Sequence, residues 1–91
     1  MVRSQSYIAT PPGATIREQL KYKGLSQKDF AVRMDLSEEY VSKLINGKVQ
    51  LTPEIAEKLE MVLGSPAKFW NNLETIYREK LMKVEVENSV Q

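Results

Sequence analysis

Residues 25–48 read LSQKDFAVRMDLSEEYVSKLINGK, a stretch punctuated as two short helices joined by a tight turn. Ser26, followed three positions on by Asp29, is a variant of the capping box in which a hydroxyl takes up a first-turn backbone N–H. Phe30, Ala31 and Met34 then fall on one face at helical spacing, which predicts a helix over 27–34. Asp35-Leu36-Ser37 leaves room only for a short connection. Ser37 caps the next helix, and Glu38 and Glu39 occupy its first turn, where the positive end of the helix dipole favours them. Val41, Leu44 and Ile45 line the buried side of this helix, and Asn46-Gly47 ends it. Ala31 stands where the two helices must approach closely, since a larger side chain would push them apart. Leu36, Val41 and Leu44 complete a small apolar wedge. This is the sequence logic of a helix-turn-helix, whose second helix enters the major groove of DNA.

The same punctuation extends outward on both sides. Pro12 sits at a first helical position, where its missing N–H costs nothing. Ile16 and Leu20 follow on one face and Gly24 supplies a stop, which predicts a first helix over 12–22. Thr52-Pro53-Glu54 repeats the cap-then-proline signal ahead of Ile55, Ala56, Leu59, Val62 and Leu63, and Gly64 closes that helix. Ser65-Pro66 opens a fifth helix carrying Phe69, Trp70, Leu73, Ile76 and Tyr77. Caps, stops and apolar period agree, so the fold class is all-α with five helices. Residues 1–10 are expected as an N-terminal arm, with a short strand open at Tyr7-Ile8. The domain is expected over 11–82. After Lys80 the pattern Leu81, Val84, Val86 fits frayed helix and alternating strand alike, and 83–91 are expected as a tail, disordered over its last residues.

Composition closes off most other classes. The chain has 91 residues, enough for one small domain, and carries 13 basic and 12 acidic residues for a net charge of +1. It contains no cysteine and no histidine, which removes disulfides, thiolate nucleophiles, Cys/His zinc sites and every histidine-based triad. An enzyme, a cofactor and a metal are therefore not expected. Asp35, Glu38 and Glu39 read as caps and dipole partners rather than cation ligands. Trp70, spaced with Leu73 and Tyr77, reads as core rather than a ligand pocket. No apolar run approaches the ~18 residues of a membrane span, and the first nine residues, MVRSQSYIA, lack the apolar core of a signal peptide. The expected compartment is the cytoplasm, with no membrane partner.

With these residues in view, the block from LSQ through Ala31 and the LS turn to INGK resembles the helix-turn-helix of the phage-repressor-like XRE/Cro-CI family. The wider frame is more specific. A Pro-Gly before the first helix, then LINGKVQLTPEIAEKLEMVLG and SPAKFWNNLETIYR, resemble the HigA antitoxin family over about residues 11–80. The resemblance implies a lambda-repressor-like DNA-binding domain with an extended C-terminal helix. It also implies a dimeric repressor of its own promoter that neutralises a RelE/HigB-type ribonuclease toxin. The sequence departs from the family pattern in three ways: Pro11 replaces a frequent His, Asp35 a usual Gly, and Glu38 and Glu39 stand where relatives are often basic or neutral. Two other readings stay open, an XRE-type regulator without a toxin partner and the N-terminal module of a longer regulatory protein.

Helix geometry selects the candidate DNA contacts. With Val41, Leu44 and Ile45 inward, the opposite side holds Glu39, Ser42, Lys43 and Asn46, flanked by Glu38 and Tyr40 and preceded by Ser37. A lysine at position 43 donates to guanine O6/N7 or to phosphate, Ser42 bonds either partner, and a glutamate accepts from cytosine N4. The N–H groups opening the second helix at Gln27, with Lys28 beside them, form an anion site. Lys48 and Lys23 are further phosphate candidates. Residues 17–50 carry seven basic and five acidic residues, net +2, whereas residues 51–91 carry five and seven, net −2. So modest an asymmetry points to modest affinity per monomer for double-stranded operator DNA and to reliance on a homodimer. Ile76, Leu81 and Val84 extend the apolar stripe of the fifth helix past the body of the domain and are the candidate dimer or partner surface.

Overall fold

Three hydroxyl side chains start three of the helices. Ser26 Oγ accepts from the Asp29 N–H at 3.0 Å, Ser37 Oγ from Tyr40 N–H at 3.0 Å, and Thr52 Oγ1 from Ile55 N–H at 3.2 Å. Each such cap stabilises its helix by about 1 kcal/mol. A computed structural model describes residues 9–90, with side-chain surroundings over 9–84. In chain order the elements are α1 (Pro12–Lys23), α2 (Gln27–Met34), α3 (Glu38–Ile45), α4 (Pro53–Leu63) and α5 (Ala67–Val90), with no strand among the described residues. Pro12 and Pro53 occupy the first positions of α1 and α4. Asp35 ends α2 in the left-handed conformation, φ 59° and ψ 45°, with its N–H directed at the carbonyls of Ala31 and Val32. Aspartate is among the few residues other than glycine that visit this region routinely. The turn therefore forms as the sequence expects, without glycine.

All five helices feed one core. Ile16 and Leu20 come from α1, Phe30, Ala31 and Met34 from α2, Val41, Leu44 and Ile45 from α3, Ile55, Ala56, Leu59 and Leu63 from α4, and Trp70 from α5. Phe30 and Ile16 have no exposed surface, and burying a side chain of that size contributes ~1.5–3 kcal/mol relative to leaving it in water. Lys58 Nζ of α4 donates to the Met34 carbonyl at 3.1 Å, which ties α4 to the end of α2.

The end of α3 is gripped from two sides. A β-carbon added to Gly13 would lie 1.9 Å from the Ile45 carbonyl oxygen, so the first turn of α1 rests directly on the last turn of α3. Gly47, at φ 74°, turns the chain out of α3 where a β-carbon would lie 2.9 Å from Pro11 Cβ and 3.2 Å from Tyr77 Oη. Both the sign of φ and the space demand glycine there.

Helix α5 differs from expectation in two respects. Of its apolar stripe, Trp70 and Tyr77 are buried and Leu73 is half-buried, but Phe69 and Ile76 are 39% and 48% exposed. At ~100° per residue, Trp70 and Tyr77 mark one edge of the stripe, Leu73 its middle, and Phe69 and Ile76 the other edge. Burial falls in that order because α5 docks by one edge only. The Phe69 ring meets Trp70 edge-on, with centroids 5.0 Å apart. Secondly, α5 runs to Val90, so residues 83–90 are helical rather than a disordered tail. No Gly or Pro follows Pro66 to stop the helix. Its start is capped through space, Glu60 Oε1 of α4 accepting from the Ala67 N–H at 3.0 Å. Tyr7, Ile8 and the rest of residues 1–8, together with Gln91, lie outside the described residues.

Candidate nucleic-acid interface

Residues 38–45 of α3 divide cleanly between core and water. Val41, Leu44 and Ile45 are at most 3% exposed, whereas Glu38, Glu39, Lys43 and Asn46 are exposed and Ser42 is half-buried. Tyr40 is half-buried against the core. Ser37 is exposed, and its oxygen already accepts from Tyr40 N–H, so its hydroxyl hydrogen and one lone pair remain to offer a partner. Lys43 Nζ lies 3.6 Å from Glu39 Oε2 across one helical turn, with both side chains largely in solvent. A pair of that kind is worth ~0.3–0.5 kcal/mol. Lys43 can exchange Glu39 for a base edge or a phosphate at little cost.

At the other end of α3 the polar side chains form a chain of hydrogen bonds. Asn46 Nδ2 donates to the Ser42 carbonyl at 2.9 Å, and Asn46 Oδ1 accepts from Arg17 Nη2 of α1 at 3.0 Å. Both ends of the Asn46 amide are thus engaged within the protein. Arg17 is a residue that reading the sequence missed. The available signal was Gly13, one turn earlier in α1, whose bare backbone brings this face of α1 against α3.

The N-terminus of α2 supplies a second polar edge. Ser26 takes up the Asp29 N–H, while the N–H groups of Gln27 and Lys28, as first-turn donors, have no partner within the helix. Gln27 is half-buried; Lys28, Lys23 and Lys48 are exposed. The structure therefore places Ser42, Lys43 and Asn46 together on one face of α3. Lys48 follows the Gly47 turn, and Lys23 stands apart at the end of α1. On α5, Ile76 is half exposed and Leu81 and Val84 are half-buried. Beside Ile76 runs an apolar groove of about 210 Å³ between Thr10, Pro11 and Thr15 on one wall and Tyr77 and Lys80 on the other. Among the described residues no cluster of acidic side chains has the geometry to hold a metal ion, and no helix is long and apolar enough to cross a membrane.

The family model for helix-turn-helix proteins matches residues 16–70, which takes in all of α2, α3 and α4. The chain belongs to the helix-turn-helix family. The uncharacterized HTH-type transcriptional regulator YddM of Escherichia coli (strain K12) is 39% identical to it over 66 residues, covering 72% of this chain and 70% of the relative. Among solved structures, the Pseudomonas aeruginosa antitoxin HigA, determined with the higBA promoter, superposes with a TM-score of 0.81 at 20% identity over 92% of each chain. An addiction module antidote protein of a HigA family from Coxiella burnetii gives a TM-score of 0.78 at 24% identity over 87% of each chain. These two likenesses bear out the five-helix all-α fold. By family the protein is a DNA-binding helix-turn-helix regulator.

Proposed function

We propose that this helix-turn-helix protein is a sequence-specific transcriptional repressor that binds its operator as a homodimer, and that it is the antitoxin of a HigBA-type toxin–antitoxin pair in the cytoplasm. The observation that carries the DNA-binding half is the division of α3. Its apolar side is wholly consumed by the core, so Ser42 and Lys43 are held rigidly outward for a groove. Lys43 then donates to guanine O6/N7 and Ser42 to a neighbouring acceptor. Glu38 and Glu39, repelled by phosphate, accept from cytosine N4. The N–H groups of Gln27 and Lys28 hold one phosphate and Lys48 another. A dimer formed through Ile76, Leu81 and Val84 sets two copies of α3 on half-sites ~34 Å apart. The antitoxin half is supported by the fold likeness to the HigA structures and by the LTPE, LG and FW-N-L segments. A RelE/HigB-type toxin is the partner it calls for.

A gel-shift on the duplex upstream of the gene, at two salt concentrations, tests this. Lys28→Ala should weaken binding to all duplexes alike and lower the salt slope by about 1, while Lys43→Ala should change discrimination between duplexes. If both variants bind as the unaltered protein does, α3 is not the reading element.

A second reading, a regulator without a toxin partner, is favoured by one observation. The relative with 39% identity is a transcriptional regulator, while the two antitoxin structures share 20% and 24%. Co-expression with the adjacent open reading frame separates the two readings. A stable complex that silences a ribonuclease supports the antitoxin.

A further inference from the structure

We infer that Arg17, contributed by α1, is a phosphate clamp at the exit end of the recognition helix, and that Asn46 is the positioning residue that aims it. The inference rests on the DNA-binding reading of α3 and adds an element to it outside the helix-turn-helix. Three observations converge. First, the backbone of α1 is pressed onto α3 at Gly13, where a β-carbon would sit 1.9 Å from the Ile45 carbonyl. Arg17, one turn on, is therefore held beside the last turn of α3 although it lies in another helix. Secondly, Asn46 cannot turn its amide freely. Its Nδ2 is claimed by the Ser42 carbonyl at 2.9 Å, so its oxygen faces Arg17 and accepts from Nη2 at 3.0 Å. Thirdly, that bond uses one of five guanidinium donors, and the side chain is exposed. Lys43 and Arg78 each have a glutamate one turn away, Glu39 and Glu74, but Arg17 has no carboxylate at ion-pair distance among the described residues.

A recognition helix puts its N-terminal residues against base edges, so its C-terminal end rises toward the sugar–phosphate rim. A forked cation fixed at that end matches a phosphate oxygen in geometry as well as charge. Lys48, past the Gly47 turn at the same end of α3, gives the strand a second cation. A purely structural role, with Arg17 serving only the negative end of the α3 dipole and the Asn46 oxygen, makes a different prediction: loss of stability with no change in salt dependence.

The test is fluorescence anisotropy over a salt series with two probes of about 30 base pairs, long enough for two half-sites one turn apart. One probe is the duplex upstream of the gene and the other a scrambled duplex of the same composition. Arg17→Gln should lower the slope of log K against log salt by about 1 and weaken both probes by the same factor, about three- to tenfold. Arg17→Lys should keep the slope and bind more weakly, having the charge without the fork. Asn46→Ala should also keep the slope and weaken both probes alike, since it frees the cation without removing it. Should Arg17→Gln fail to fold, which circular dichroism would show, Arg17→Met keeps the aliphatic stem without the charge and is read for the same loss of slope. A wild-type slope for Arg17→Gln overturns the clamp, and a loss confined to the upstream duplex for Asn46→Ala overturns the positioning role. If Lys28→Ala still lowers the slope in that event, the DNA-binding reading stands and only the clamp falls. If the unaltered protein binds neither probe, the DNA-binding reading falls and takes the clamp with it.

Discussion

Helices α2 and α3 are eight residues each, and the chain marks every boundary between them: a serine at each start, a left-handed aspartate between, a glycine after. Helix α5 runs for 24 residues and, once past Pro66, carries no mark at all. The two regions also bury themselves differently. All three apolar positions of α3 are at most 3% exposed, whereas α5 grades across its stripe from buried Trp70 to half-exposed Ile76. Punctuation and full burial fix the orientation of a short helix, as a side chain that reads a base edge requires. An unpunctuated helix docked by one edge keeps an apolar edge to offer elsewhere.

That contrast can be broken most forcefully at the contact that sets α3 in place. Gly13→Ala should destabilise the protein by about 2–3 kcal/mol, because the added methyl has only the backbone of Ile45 to displace. The sign matters, since at an unconstrained helical position the same change is favourable by up to ~1 kcal/mol. Urea unfolding measures it, and a more stable variant would mean that α1 does not seat α3 as described. At the opposite extreme stands the free edge of α5. Ile76→Lys should leave unfolding of the domain within ~0.5 kcal/mol of the parent, as expected for a substitution at a position 48% exposed. In the homodimer reading, sedimentation velocity should nevertheless show dissociation toward monomer. A large loss of stability with unchanged assembly would make α5 ordinary core and remove the basis for the partner surface.

The contrast also governs what the sequence could reveal. Signals that act within a few residues were legible: Ser26, Ser37 and Thr52 as caps, Pro12 and Pro53 as helix openings, Asp35 in place of glycine, and the inward set Val41, Leu44 and Ile45. These depend on local backbone geometry and a fixed period, both written in the order of residues. What escaped depends on tertiary approach. Gly13 reads as part of a Pro-Gly lead until α3 is laid against it. Glu60 caps a helix seven residues away. Arg17 reaches Asn46 across 29 positions. The stripe on α5 was correctly located on its helix, but periodicity gives a face and not the depth to which that face sinks. Its continuation to Val90 is left open by the sequence because Leu81, Val84 and Val86 fit frayed helix and alternating strand alike, and only the absence of a breaker decides between them.

The claim on which function turns is that the outward side of α3 occupies a major groove. Guanine N7 lies in that groove and is methylated by dimethyl sulfate unless covered. Methylation of the upstream duplex, with the protein bound, should show protected guanines in two clusters one helical turn apart. Lys43→Ala should restore methylation at one guanine in each cluster. A duplex that is shifted in a gel but shows full N7 methylation throughout would contradict the claim and move the contact to the backbone or the minor groove.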